Sequence, residues 1–381
     1  RLTHTIVASN VGETLCRNLG LGQESIDLVK AIVYAHDIGH PALCHRGERA
    51  INTRMSALGL HWNHDAAGLS VVNDWSRRDA HFNGLNLTLD VLEGLAKRYW
   101  HFVDHKPVNI FEHNKSELPD SILEIDKKYD LHLGKNNHIE GQIACLSDWV
   151  GYISTDVEDG LLVGEFSVDE ILERFPLSAG ALAKVKFQQE APGLGTEERK
   201  AAVAHVLCME IRNFLINDVV TQTEKNLREA QAQGLLNKAE DVRDLGKLMV
   251  GFSPEVLKNV KRIDAIGIVR IYEVENTLPA SAEQNFQTLF SKRMPYEDFM
   301  EEAFDACVSG EMKMRGDWND RYQAIKASGL PDEEAKKKIA QLVCEYMTCE
   351  ATDRDVVDFI KANRPQIHAH YAQEPRLLLP G

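Results

Sequence analysis

Apolar residues recur in this chain at three- and four-residue spacing almost from end to end, and alternating runs are scarce. That pattern restricts the fold to packed helices, because a helix turns every ~3.6 residues whereas a strand points successive side chains to opposite faces. Helices are expected over 3–19, 23–38, 64–78, 88–100, 138–156, 168–174, 197–230, 238–250, 254–276, 282–291, 295–308, 317–328, 332–350 and 353–363. "KLMVGF" and "GLLVG" are the only weak strand candidates. Residues 105–137 and 188–198 carry no period and read as connections. The expected fold class is all-α, a helical bundle with additional C-terminal helices.

The formal charge of −15 excludes broad wrapping of nucleic acid, which needs many cations facing the phosphates. It also means that an anionic ligand needs a locally positive pocket. No apolar run approaches the ~20 residues that span a bilayer, so no membrane partner is expected. The seven cysteines, at 16, 44, 145, 208, 307, 344 and 349, are scattered and odd in number. Such usage suits a reducing compartment and predicts a cytoplasmic protein. The chain begins at Arg1 inside a helical pattern, which predicts further residues upstream.

Ten of the fifteen histidines lie within residues 1–113, and the densest stretch is "AHDIGHPALCHRGE", residues 35–48. His36 and Asp37 follow an amphipathic helix and precede Gly39 and Pro41, a helix-stop pair. Both side chains could reach one ion from a fraying helix end. One short segment cannot surround an ion, so other ligands must come from elsewhere. His4, in "RLTHT", and Asp148, set among Ile143, Leu146, Val150 and Ile153, are the candidates. Two imidazoles and two carboxylates suit a borderline divalent ion, Mn²⁺, Fe²⁺, Co²⁺ or Zn²⁺. His45 and Glu48 stand three apart at a new helix start, where Glu48 could hold the His45 imidazole in one tautomer. Pro41 keeps His40 out of the α conformation, leaving its ring to turn inward. Asp148, Tyr152 and Asp156, at i, i+4 and i+8, share one helix face. Lys97 and Arg98 end a helix as cations.

"RLTHT", "AHDIGHP", "H-x-G-E" at 45–48, "GLNLT" at 84–88 and "D-x3-Y-x3-D-x2-D" at 148–159 stand in one order. "EYMTCEATDR" at 345–354 follows as a degenerate late motif. This ordered set resembles the HD-domain deoxynucleoside triphosphate triphosphohydrolases, the dGTPase-like family. The resemblance implies an HD-domain helical bundle, with a metal-dependent catalytic core over 1–165, its helical continuation over 166–280 and a C-terminal helical subdomain over 281–381. It implies that His4, His36, Asp37 and Asp148 hold the metal, with Mn²⁺ or Mg²⁺ the ions expected to serve in assays. His45, Glu48, His64 and His40 would form the catalytic group. Arg1, Lys97, Arg98 and Arg354 would contact the triphosphate, and Tyr152 and Asp156 the 3′-hydroxyl of the sugar. The implied reaction converts a dNTP, dGTP or several dNTPs, to the deoxynucleoside and inorganic triphosphate. The implied assembly is a homo-oligomer, a hexamer or tetramer, with a nucleotide or single-stranded DNA effector. Two alternatives remain open at this point: another HD phosphohydrolase, such as a 5′-nucleotidase or phosphodiesterase, or a nucleotide-sensing assembly protein with little turnover.

Overall fold

The computed structural model describes residues 2–60, 62–77, 79–99, 102–103, 106–107, 120–261 and 297–367. The described helices are α1 (Leu2–Asn18), α2 (Gln23–Ala35), α3 (Cys44–Ser56), α4 (His64–Ser70), α5 (Leu89–Ala96), α6 (Asp120–Tyr129), α7 (Ile139–Val163), α8 (Val168–Arg174), α9 (Ala179–Glu190), α10 (Thr196–Ala232), α11 (254–261), α12 (Glu297–Ser309), α13 (Asp317–Lys326), α14 (Asp332–Cys349) and α15 (Asp353–Asn363). The one strand pairing among the described residues is a two-residue antiparallel contact, Phe102–Val103 with Lys106–Pro107. The fold is all-α, as the periodicity requires.

The chain forms two compact units, each assembled from separated segments. The first comprises Arg1–Tyr34, Lys97–His113 and His132–Lys292. Here α1 and α10 both pack on α7. Leu15, Ile143, Val150, Leu207 and Ile211 are fully buried. Burying each such side chain contributes about 1.5–3 kcal/mol. α1 and α7 meet closely because a Cβ at Gly12 would lie 3.0 Å from the Ser147 hydroxyl and 2.7 Å from Val29. His4, Ala8 and Gly12 stand at i, i+4 and i+8 on that face of α1.

The second unit comprises Ala35–Ala96, Asn114–Leu131 and Arg293–Gly381. Its core joins Ile51 and Met55 of α3 to Phe299 and Phe304 of α12, Trp318 of α13, Tyr346 of α14 and Ile360 of α15. Arg54 forks onto Asp305 across α3 and α12.

Several expected elements differ. Residues 105–137 were expected as a connection, yet α6 forms within them. Ile122 and Ile125 are its buried anchors, two residues too few to show a period against their polar neighbours. α9 falls where no helix was expected. Its apolar residues lie on both faces, Ala181 and Val185 buried, Leu182 and Phe187 exposed, which blurs the pattern. The helix expected over 238–250 is instead a single 3-10 segment, Ala239–Asp244, followed by irregular chain. The Gln142 side chain there accepts the Met249 and Val250 N–H groups, and Asn226 donates to the Met249 carbonyl. Side chains thus satisfy backbone groups that a helix would have paired. "KLMVGF" forms no strand, and "GLLVG" is the end of α7. The helix expected over 254–276 is described to residue 261; the rest of it, and the helix expected over 282–291, lie outside the described residues.

Candidate functional site

In the first unit His4, on the opening turn of α1, and Asp148, mid-way along α7, come together: His4 Nε2 lies 2.8 Å from Asp148 Oδ1. Arg98, in the 3-10 turn Lys97–Tyr99, donates from Nη2 to Asp148 Oδ2 at 2.7 Å. The two oxygens of Asp148 therefore have separate partners. Lys97 in the same turn is buried, and its ammonium donates to the Asn136 carbonyl at 3.0 Å. Tyr152 and Asp156 follow Asp148 along α7, both half-buried.

In the second unit His36 and Asp37 lie just beyond α2, which ends at Ala35, in a turn rather than in the last helical turn. The turn is pressed against α4. A Cβ at Gly39 would lie 2.0 Å from the His64 carbonyl oxygen and 2.1 Å from the Gly68 nitrogen, so only glycine fits. His36 is buried, with Nε2 3.0 Å from Asp37 Oδ1, and His40 Nε2 is 3.5 Å from the same oxygen. Burial by itself would raise the Asp37 carboxyl, but the contacts from His36 and His40 outweigh it and hold the group far below the usual carboxylate range. Asp37 is thus an anion, the form that a cation requires.

His64 opens α4, and its exposed-end N–H would be unsatisfied within the helix. Glu48 Oε1 accepts that N–H at 3.0 Å and lies 2.8 Å from the ring Nδ1. The contact with the Glu48 carboxylate assigns a proton to Nδ1, while Nε2 faces Asp65 Oδ1 at 3.4 Å. Spacing suggested that Glu48 would hold His45; the structure pairs it with His64, and the side chain of His45 lies outside the described residues. The His40 and His64 rings stack, with centroids 3.9 Å apart and planes 9° from parallel.

Asp37, His40 and His64 each bring one potential ligand atom within 4.8 Å of the others. The stacked geometry argues against both rings binding one ion. Lone pairs lie in the ring planes, and two nearly parallel planes do not converge on a point. The two rings therefore lie side by side rather than pointing at a common atom. His4 with Asp148 and His36 with Asp37 have the donor chemistry of a divalent-ion site: imidazole nitrogens and carboxylate oxygens, held in each unit as a preformed pair.

The loop entering α3 is braced from far along the chain. Leu43 adopts a left-handed conformation, φ 62°, costing about 1–2 kcal/mol for a side-chain-bearing residue. Its N–H donates to Asp353 Oδ1 at 2.7 Å, and Ala42 N–H donates to the Met347 carbonyl. The late motif therefore reaches the loop before His45 and Glu48 through Asp353, a residue that sequence reasoning passed over in favour of its neighbour. Arg354 itself is exposed on the first turn of α15. The capping box of Thr352 with Asp355 was the signal available, since it fixes the helix start that presents Asp353. Arg1 lies outside the described residues.

No helix among the described residues is long and apolar enough to cross a membrane. None of the described cysteines forms a disulfide.

No family model matches the chain. Curated relatives do. A deoxyguanosinetriphosphate triphosphohydrolase-like protein of Rhodopseudomonas palustris is 33% identical over 255 residues, 67% of this chain, which spans 59% of that relative's length. The one from Bradyrhizobium diazoefficiens is 31% identical over 294 residues, 77% of this chain and 69% of the relative. The one from Paracoccus denitrificans is 30% identical over 354 residues, 93% of this chain and 81% of the relative. Similarity of that extent, on an all-helical chain with its histidines and carboxylates set in preformed pairs, means that the chain belongs to the deoxyguanosinetriphosphate triphosphohydrolase-like family.

Proposed function

We propose that the chain is a metal-dependent triphosphohydrolase that cleaves deoxynucleoside triphosphates, dGTP or several dNTPs, to the deoxynucleoside and inorganic triphosphate. The observation that carries this reading is the Glu48–His64 pair beside Asp37 and His40: a fixed imidazole next to an anionic ligand suits proton transfer at a phosphoryl centre.

In this reading His4, His36, Asp37 and Asp148 bind one divalent ion, Mn²⁺ or Mg²⁺ in assays and otherwise Co²⁺, Fe²⁺ or Zn²⁺. The ion supplies Lewis acidity toward an α-phosphate oxygen. His64 moves the proton at Nε2, Glu48 holds the opposite edge of the ring, and His45 and His40 line the same pocket. Arg1 and Arg354 supply positive charge toward the triphosphate. Tyr152 packs under the deoxyribose and Asp156 accepts from its 3′-hydroxyl. The protein works in the cytoplasm as a homo-oligomer, a hexamer or tetramer, open to a nucleotide or single-stranded DNA effector.

The test is a screen of all four dNTPs with Mg²⁺, Mn²⁺ and Co²⁺, separating products by ion exchange. Intact triphosphate is the expected product. Stepwise release of orthophosphate, or cleavage of monophosphates only, would replace this reading with a nucleotidase.

A further inference from the structure

The sequence suggests a phosphate contact for Arg98, but the structure gives its guanidinium another task. Arg98 is largely buried, with 11% of its side chain exposed, and its Nη2 sits 2.7 Å from Asp148 Oδ2. The other oxygen, Oδ1, lies against His4 Nε2 at 2.8 Å. One carboxylate is thereby divided between a cation and an imidazole. A charge-assisted bond of this length, sheltered from water, is strong and directional.

Resting on the assignment of Asp148 as a metal ligand, we propose that Arg98 is a positioning residue that confines this carboxylate to single-oxygen ligation. With Oδ2 held by Arg98, only Oδ1 is presented on the His4 side. The ring of His4 and one oxygen of Asp148 then form a fixed two-donor edge. Single-oxygen ligation leaves one more coordination position for water or a substrate oxygen than chelation through both oxygens would. Fixing the ligand also fixes where the ion stands relative to Tyr152 and Asp156, one and two helical turns farther along α7. Partners behind the ligands commonly set metal binding and activity in this way.

The full chain, loaded with Mn²⁺, provides the test. Crystal structures and Mn K-edge absorption spectra are compared for native protein, R98M and R98K, with D148N as the control. Native protein is expected to ligate through one Asp148 oxygen with Arg98 on the other. R98M is expected to keep its metal, to chelate through both oxygens, and to lose about tenfold or more in kcat, while KM for the dNTP changes by less than about threefold. R98K, which can reach Oδ2 with a single donor, should restore single-oxygen ligation and part of kcat. Unchanged single-oxygen ligation in R98M, or a KM raised about tenfold at unchanged kcat, overturns the proposal and returns Arg98 to the substrate. If R98M melts before metal can be loaded, R98K decides on the same two readouts: chelation through both oxygens overturns the proposal, and single-oxygen ligation with native KM supports it. D148N retaining a full metal complement would instead overturn the metal assignment itself.

Discussion

Glu48 offers the sharpest perturbation, because one of its oxygens has two partners on one residue. Oε1 accepts the His64 backbone N–H at 3.0 Å and meets the His64 Nδ1 at 2.8 Å. Glu48→Ala removes both. A hydrogen bond to a charged group contributes about 1.5–3 kcal/mol, and these groups are partly exposed, so the lower figure applies to each. The backbone bond acts on folding, so stability should fall by about 1.5 kcal/mol. The ring bond acts on orientation and tautomer, so kcat should fall roughly tenfold on the same figure, and further if the Nε2–H tautomer becomes populated. Glu48→Gln keeps a neutral acceptor and should lose less than about tenfold. KM should hardly move in either variant, since Glu48 meets the Nδ1 edge of the ring and the proposed proton transfer is at Nε2. The assay is triphosphate release at saturating dNTP, beside a urea melt and ¹⁵N spectra of the imidazoles. The reasoning is refuted if folded Glu48→Ala turns over within about threefold of native, or if its His64 keeps the proton on Nδ1.

Four further outcomes are expected. Alanine at His36 or Asp37 should strip the divalent ion and abolish turnover; full occupancy by elemental analysis in both variants would remove them from the ligand set. Gly39→Ala, whose Cβ would meet backbone at 2.0 Å, should cost about 3 kcal/mol and displace the His36–Asp37 turn, read as a lower urea midpoint and weakened Mn²⁺ binding. Asp156→Asn should keep its metal but lose most of the native preference for deoxy over 2′,3′-dideoxy substrate; an unaltered preference would make Asp156 a structural acid. Burial pushes the Cys307 thiol up to about 12 from an ordinary value of 9.0, so the unfolded chain loses this proton first and folding weakens as pH rises from 9 toward 12. Between pH 8 and pH 10 this thiol should cost about 1.4 kcal/mol of stability in total, and Cys307→Ala should remove that loss in urea melts at the two pH values.

Much of the helical frame was legible because α1, α7, α10 and α14 each bury a periodic stripe. The pairing of His4 with Asp148 was legible only as residue types in order, since 144 positions separate them. Local spacing shows only near partners. Glu48 stands three residues from His45, and its Oε1 accepts the N–H that opens α4, on His64, sixteen residues away. Lys97 reads from sequence as a cation at a helix end and a triphosphate contact, whereas its ammonium is buried on the Asn136 carbonyl. Arg98 was named for its charge, but its partner is a carboxylate of the protein itself. Helix ends were less legible: Gly39 and Pro41 mark a stop in the sequence, but the close approach of Gly39 to α4 is a contact no window of sequence contains.

The bond from Leu43 to Asp353 closes a loop of 310 residues. It also sets a schedule for folding. The ribosome makes the "AHDIGHPALCHRGE" segment some three hundred residues before its partner, so the strained Leu43 turn has no anchor until Asp353 has emerged. Contacts of such long span form late, after the local helices, because the loop-closure entropy must be met before they return any stability. Nascent chains halted before residue 353 should therefore carry formed helices but an open α3 entrance, susceptible to proteolysis at Ala42–Leu43, and that entrance should close abruptly as α15 docks.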